Sequence, residues 1–128
     1  EPYPATQIAA LLRLLADIQW RYRIPAANFL GHADVSPGRK VDPSAHFPWR
    51  LLAEHGFGLW CDPPFAPAAW NFDPVLGLAA LGYDTRNLPA AIQSFKLHFV
   101  QTDVSPVMTQ EDSDRLACLL ARRAESLP

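Results

Sequence analysis

A proline-rich segment near the middle of the chain restricts the folds that this sequence of 128 residues can adopt. Residues 61–70 read CDPPFAPAAW and include three prolines. Proline lacks a backbone N–H and fixes φ, so neither a helix nor a central strand passes through such a segment. The segment also shows no apolar periodicity, which is typical of a stiff linker. We therefore predict a domain boundary here, with one domain at residues 1–60 and another at residues 71–128.

Before the linker, the pattern predicts a helix followed by a short strand. Over residues 6–23, apolar side chains recur at steps of three and four, with Thr6 as the N-cap and Pro25 as the stop. The apolar run at residues 29–31 predicts a buried strand, and residues 48–55 predict a short helix. A helix beside a strand indicates an α/β layer. Because one strand cannot form a sheet, we expect its neighbours to lie outside this chain.

After the linker, three helical segments predict a small bundle. They cover residues 73–81, 89–99 and 109–124. A shared face in each of the last two segments predicts core residues Ile92, Phe95, Phe99, Leu116, Leu119 and Leu120. His98 is expected on the surface of the second of these helices. Three short helices give only a small core, and such a unit more often binds a ligand than catalyses a reaction.

Charge and hydropathy exclude two classes of partner. The formal net charge is −2 and 19% of the residues are charged, so the chain lacks the basic field of a nucleic-acid-binding protein. No apolar run is long enough to cross a membrane, so we expect no transmembrane segment in this chain. The two cysteines, Cys61 and Cys118, are compatible with one disulfide, but two mostly buried thiols are the expected state.

The loop at residues 31–43, GHADVSPGRKVDP, contains the residues best suited to chemistry. His32 and Asp42 offer an imidazole and a carboxylate, which are ordinary zinc ligands. Lys40 would place a cation where charge develops on a substrate carbonyl oxygen. Asp34 either orients a metal ligand or stabilises the turn, and we expect the turn role. On spacing alone, a solvated loop with an Asx-turn is the simpler interpretation.

The longer stretch GHADVSPGRKVDPSAHFPW resembles the zinc-ligand loop of the N-acetylmuramoyl-L-alanine amidase 2 family over nineteen positions without a gap. The resemblance implies that His32 and Asp42 are the second and third zinc ligands and that Lys40 is a catalytic residue that supports the transition state. The family's first zinc-binding histidine and its catalytic glutamate have no counterpart here. We expect them upstream of Glu1, in an N-terminal segment of the same protein.

The resemblance also implies a fold and a function for the whole chain. Residues 1–60 would be the C-terminal part of a mixed-sheet amidase domain flanked by helices, and residues 71–128 a peptidoglycan-binding-like three-helix bundle. This order is similar to the AmiD type of the family, which implies the periplasm or outer membrane of a Gram-negative bacterium. The expected reaction is zinc-dependent hydrolysis of the amide between N-acetylmuramic acid and L-alanine in peptidoglycan or muropeptides. The alternative is a non-catalytic peptidoglycan-binding remnant.

Overall fold

The computed structural model describes residues 3–35 and 44–126 of the chain. Within these residues the backbone forms six α-helices and one short 3-10 turn at Ala26–Asn28. The helices are α1 (Ala5–Tyr22), α2 (His32–Val35), α3 (Trp49–Glu54), α4 (Pro74–Leu81), α5 (Leu88–Phe99) and α6 (Gln110–Ser126). The five helices predicted from periodicity are therefore confirmed, with ends that differ by at most two residues.

The α/β prediction is wrong for this chain, because residues 3–35 and 44–126 contain helices and loops but no strand. The expected strand at residues 29–31 is irregular backbone between the 3-10 turn and α2. The Phe29 N–H donates to the Ala26 carbonyl at 3.3 Å, and the same carbonyl accepts from the Gly58 N–H at 2.7 Å. These bonds close a turn rather than start a ladder. A strand needs a neighbouring strand for its backbone groups, and this part of the chain supplies none.

Helix starts follow the capping chemistry of the sequence for the last three helices. Asp73 accepts hydrogen bonds from two backbone N–H groups at the start of α4, and Asn87 accepts one at the start of α5. Before α6, Thr109 and Asp112 exchange backbone-to-side-chain bonds in a capping box. The prediction for α1 is wrong, because Pro4 rather than Thr6 stands at its N-cap.

The larger core lies between α4, α5 and α6. Its members are the buried face that the periodicity predicted, together with side chains from the adjoining loops. We call this set the C-terminal core, and it comprises Cys61, Leu78, Tyr83, Ala91, Ile92, Phe95, Phe99, Leu116 and Leu119. The predicted core residues are confirmed, with Leu120 only partly buried against the cluster.

A smaller core packs residues from before the linker. Trp49, Leu52 and Phe57 are buried there, and partly buried leucines of α1 cover them. Trp60 packs against this N-terminal core and also against the C-terminal core. The two halves of the sequence therefore share side-chain contacts on both sides of the predicted boundary.

A disulfide joins Cys61 to Cys118, across a sequence separation of 57 residues. The expectation of two free thiols is therefore wrong. The linker also contacts α6 elsewhere, because the Ala68 N–H donates to Asp114 at 2.8 Å and the Arg115 guanidinium lies 4.6 Å from the Phe65 ring centroid. Residues 61–70 are therefore bound to α6 by a disulfide, a hydrogen bond and a cation–π contact, and do not form a free linker in solvent.

One charged side chain is fully buried beneath the loop between α5 and α6. The ammonium of Lys96 lies 2.9 Å from an Asp103 oxygen and 3.0 Å from an Asp112 oxygen. Burial alone would lower the pKa of Lys96, but the two carboxylates outweigh it and raise the pKa above its ordinary value. This ion-pair cluster joins α5, α6 and the loop between them, and the two carboxylates compensate the cost of burying the Lys96 charge.

Candidate functional site

The structure describes one of the three predicted site residues, and only its backbone. His32 is the first residue of α2. Lys40 and Asp42 lie outside the described residues. Within residues 3–35 and 44–126 no group of three or more His, Cys, Asp or Glu side chains is placed to hold a metal ion. The geometry of the site is therefore read from the turn that carries His32.

That turn is closed by two hydrogen bonds on either side of His32. The Asp34 N–H donates to the Gly31 carbonyl at 3.1 Å. In the opposite direction, the Gly31 N–H donates to the Asp34 carboxylate at 2.9 Å. Because His32 lies between these two residues, its backbone is held by the reciprocal pair. The turn role expected for Asp34 is confirmed.

The Asp34 carboxylate also connects the turn to the helices after the linker. The Tyr83 hydroxyl donates to one carboxylate oxygen. Nδ1 of His98 lies 2.7 Å from the other oxygen, which also accepts from Gly31. All three side chains are buried, with Asp34 6%, Tyr83 5% and His98 3% exposed. Together they form a buried cluster that we call the Asp34 network.

Charge and protonation in this network follow from burial and hydrogen bonding. Burial alone would raise the pKa of Asp34, but the hydrogen bonds from His98, Tyr83 and Gly31 outweigh it and lower the pKa below its usual value. Burial lowers the pKa of His98 despite the adjacent carboxylate. Burial and the Asp34 charge together raise the pKa of Tyr83 well above 10.0. At neutral pH the network therefore holds a carboxylate, a neutral imidazole that donates from Nδ1, and a phenol.

His98 is held in place by aromatic contacts as well as by Asp34. Its ring stacks on Trp49 at a centroid distance of 3.8 Å and on Phe99 at the same distance. Its Nε2 finds no hydrogen-bond partner among residues 3–35 and 44–126. Stacking fixes the plane of the imidazole, and the hydrogen bond to Asp34 fixes the direction in which Nδ1 points within that plane.

The prediction that His98 lies on a helix surface is wrong. On α5, His98 follows the apolar face at a three-residue step from Phe95, so its position was compatible with burial. The sequence offered no signal for its partner, because Asp34 lies 64 residues away. The bond between Tyr83 and Asp34 likewise spans 49 residues, and no local pattern in the sequence indicates it.

The first 45 residues match the model of the N-acetylmuramoyl-L-alanine amidase family. This match confirms the family resemblance that the loop motif indicates.

Particular relatives extend the likeness beyond this segment. The N-acetylmuramoyl-L-alanine amidase AmiD of Escherichia coli K12 is 36% identical, over 79% of this chain and 42% of AmiD. The 1,6-anhydro-N-acetylmuramyl-L-alanine amidase AmpD of Enterobacter cloacae is 38% identical, over 38% of this chain and 26% of AmpD. The chain thus spans less than half the length of the curated relatives it matches.

Two solved structures share the fold over nearly the whole chain. One is E. coli AmiD in complex with the substrate anhydro-N-acetylmuramic acid-L-Ala-D-γ-Glu-L-Lys, with a TM-score of 0.80, 34% identity, and coverage of 94% of this chain and 53% of AmiD. The other is AMPDH3 of Pseudomonas aeruginosa in complex with anhydromuramic pentapeptide, with a TM-score of 0.83, 26% identity, and coverage of 95% and 55%. The likeness therefore includes the helices on both sides of the linker.

Proposed function

We propose that this chain is part of a zinc-dependent N-acetylmuramoyl-L-alanine amidase that acts on peptidoglycan or muropeptides. The observation that carries the proposal is the 36% identity to AmiD, which extends beyond the family segment into the helices after the linker. The substrate class is supported by two similar structures that contain anhydromuramyl peptides. The bond to be cleaved is the amide between N-acetylmuramic acid and L-alanine.

The donor chemistry of the loop fits zinc. His32 and Asp42 supply an imidazole and a carboxylate, and the closed turn at Gly31 and Asp34 holds the His32 backbone. Catalytic zinc sites usually have three protein ligands, so one more is required. We assign it to a histidine in an N-terminal segment of the same protein, together with a glutamate that acts as general base. When bound, the zinc would act as a Lewis acid on the amide carbonyl and activate water.

Three residues of this chain would then have separate roles in the reaction. His32 and Asp42 would hold the metal. Lys40, two residues before Asp42, would supply an ammonium that stabilises the negative charge developing on the carbonyl oxygen. The division into an amidase part at residues 1–60, a linker at 61–70 and a peptidoglycan-binding-like unit at 71–128 is retained as part of the proposal.

The disulfide supports a location outside the cytoplasm. Disulfides persist in oxidising compartments such as the bacterial periplasm and are rare in the cytosol. The Cys61–Cys118 bond is therefore compatible with the periplasm or the outer membrane of a Gram-negative bacterium. Among the described residues, no helix is long and apolar enough to cross a membrane.

The test measures metal content and amide cleavage on the protein that includes the N-terminal segment. Elemental analysis should give one zinc per chain, and chromatography should show release of the stem peptide from an anhydromuramyl peptide. Asp42→Ala should lose zinc and activity together. Lys40→Met should keep zinc and lose about 100-fold or more in kcat, as expected for removal of an oxyanion stabiliser.

Matched controls come from histidines near the loop in sequence. His46 and His55 have no role in the proposed site, so His46→Ala and His55→Ala should retain zinc and activity. A zinc-free wild type that still binds peptidoglycan would favour the alternative, a non-catalytic wall-binding remnant. An Asp42→Ala variant that hydrolyses muropeptides as well as the wild type would refute the assigned ligand set.

A further inference from the structure

The helices after the linker contact the turn that carries the proposed zinc ligand. Asp34 is the point of contact, because its carboxylate bonds both to the Gly31 N–H within the turn and to two side chains beyond the linker. Tyr83 follows the end of α4, and His98 lies near the end of α5. One carboxylate therefore joins three parts of the chain that are far apart in sequence.

The two donors to Asp34 are themselves held by the packed core. Tyr83 and Phe95 meet edge to face within the C-terminal core, with ring centroids 6.3 Å apart. His98 stacks on Trp49 and on Phe99. Neither donor is free to follow the turn if the turn shifts. The position of Asp34, and with it the turn around His32, is thus set by the helical core.

We propose that Tyr83 and His98, acting through Asp34, are positioning residues of the zinc site. This inference rests on the proposed function and deepens it, because it makes the unit at residues 71–128 part of the metal-site architecture and not solely a wall-binding appendage. Loss of one donor leaves a buried carboxylate with an unmet hydrogen bond. The carboxylate can then rotate toward another hydrogen-bond donor. Such a rotation weakens its bond to the Gly31 N–H and loosens the backbone on both sides of His32.

The expected effect is a loss of zinc affinity of about tenfold or more, within the range usual for partners that orient metal ligands. A purely structural role predicts a different result, namely lower thermal stability with unchanged zinc affinity in the folded protein. Zinc affinity is therefore the discriminating measurement. It is obtained by competition with a chelator at pH 7, with zinc alone and without substrate.

Four variants separate the loss of a hydrogen bond to Asp34 from a general loss of stability. His98→Phe keeps a ring to stack on Trp49 and removes the donor, whereas His98→Asn places an amide N–H near the position of Nδ1. Tyr83→Phe removes only the hydroxyl. Lys96→Met is the matched control, because it removes another buried polar group of α5, one that is paired with Asp103 and Asp112 instead of with Asp34.

The experiment uses the protein that includes the N-terminal segment, and thermal unfolding is recorded for every variant. We expect His98→Phe and Tyr83→Phe to weaken zinc binding about tenfold, His98→Asn to restore most of the loss, and Lys96→Met to lower the melting temperature with zinc affinity unchanged. Folded His98→Phe and Tyr83→Phe proteins with wild-type zinc affinity would overturn the inference and leave the proposed function intact. A wild type that binds no zinc would overturn the proposed function itself.

Discussion

Breaking the Cys61–Cys118 disulfide should lower the free energy of unfolding by about 4 kcal/mol. The bond closes a loop of 57 residues that contains α4, α5 and the first half of α6. In the chain-entropy description, a cross-link over a loop of this length removes roughly 14 cal/mol/K of entropy from the unfolded chain, which is about 4 kcal/mol at 25 °C. For a chain of this size, each kcal/mol shifts the melting temperature by about 4 °C, so a fall of about 15 °C is expected.

Urea unfolding followed by circular dichroism measures this quantity at 25 °C. Three samples separate the contributions: the oxidised protein, the same protein reduced with dithiothreitol, and the double variant Cys61→Ala with Cys118→Ala. The reduced sample isolates the effect of the cross-link, because it keeps both sulfur atoms. The double variant should be somewhat less stable than the reduced protein, since Cys61 is a buried member of the C-terminal core.

A thiol titration in denaturant checks the starting state, and the oxidised protein should show no reactive thiol. The reasoning would be refuted if the reduced protein unfolded within about 1 kcal/mol of the oxidised one, well below the loop-closure value. It would also be refuted if freshly purified protein carried two reactive thiols, since the disulfide would then be absent in solution.

Two further predictions concern the helices after the linker. The hydrogen bond from Lys96 lowers the pKa of Asp103 to about 2, below the ordinary 3.8. The ionised Asp103 therefore stabilises the folded state above pH 3.8, and this stabilisation is lost as the pH falls toward 2. The melting temperature should therefore drop over that range, by less in Asp103→Asn, and an unchanged pH profile in this variant would contradict the assignment. Gly77→Ala should lower the free energy of unfolding, measured in urea, by about 1–2 kcal/mol. The added Cβ would lie 2.8 Å from Phe72 Cζ and 2.9 Å from Leu116 Cδ2, and the cost of this overlap exceeds the gain in helix propensity. Ala79→Gly on the exposed side of the same helix tests propensity alone, and a stabilised Gly77→Ala would show that the contact relaxes freely.

The helices were predictable because each depends on local information. Apolar spacing located α5 and α6, and Asn87 and Thr109 are side chains that accept hydrogen bonds at helix starts. The expected strand depended on non-local information. Three apolar residues at 29–31 are too few to distinguish a strand from a buried turn, and the pairing that defines a strand cannot be read from the segment itself.

The candidate site was predictable only as far as its motif. The loop sequence located His32, Lys40 and Asp42 through the family resemblance. The buried pairing of Asp34 with His98 depends on how α2 meets α5, and no local pattern encodes that contact. The disulfide was missed for the same reason, since a separation of 57 residues gives no indication of distance in space.

The Asp34 network changes how the linker should be understood. Proline composition marks residues 61–70 as a break in secondary structure, but it does not measure how strongly the flanking segments interact. Here the segment is fastened to α6 by the disulfide, Trp49 stacks on His98, and Asp34 bonds to Tyr83 and His98. Burial of a carboxylate costs free energy unless its hydrogen bonds are made. If the two parts separated, Asp34 would lose the hydrogen bonds from Tyr83 and His98, and either its carboxylate would stay unpaired or the turn at Gly31 would open. Packing and hydrogen bonding therefore continue across the boundary that the sequence predicts.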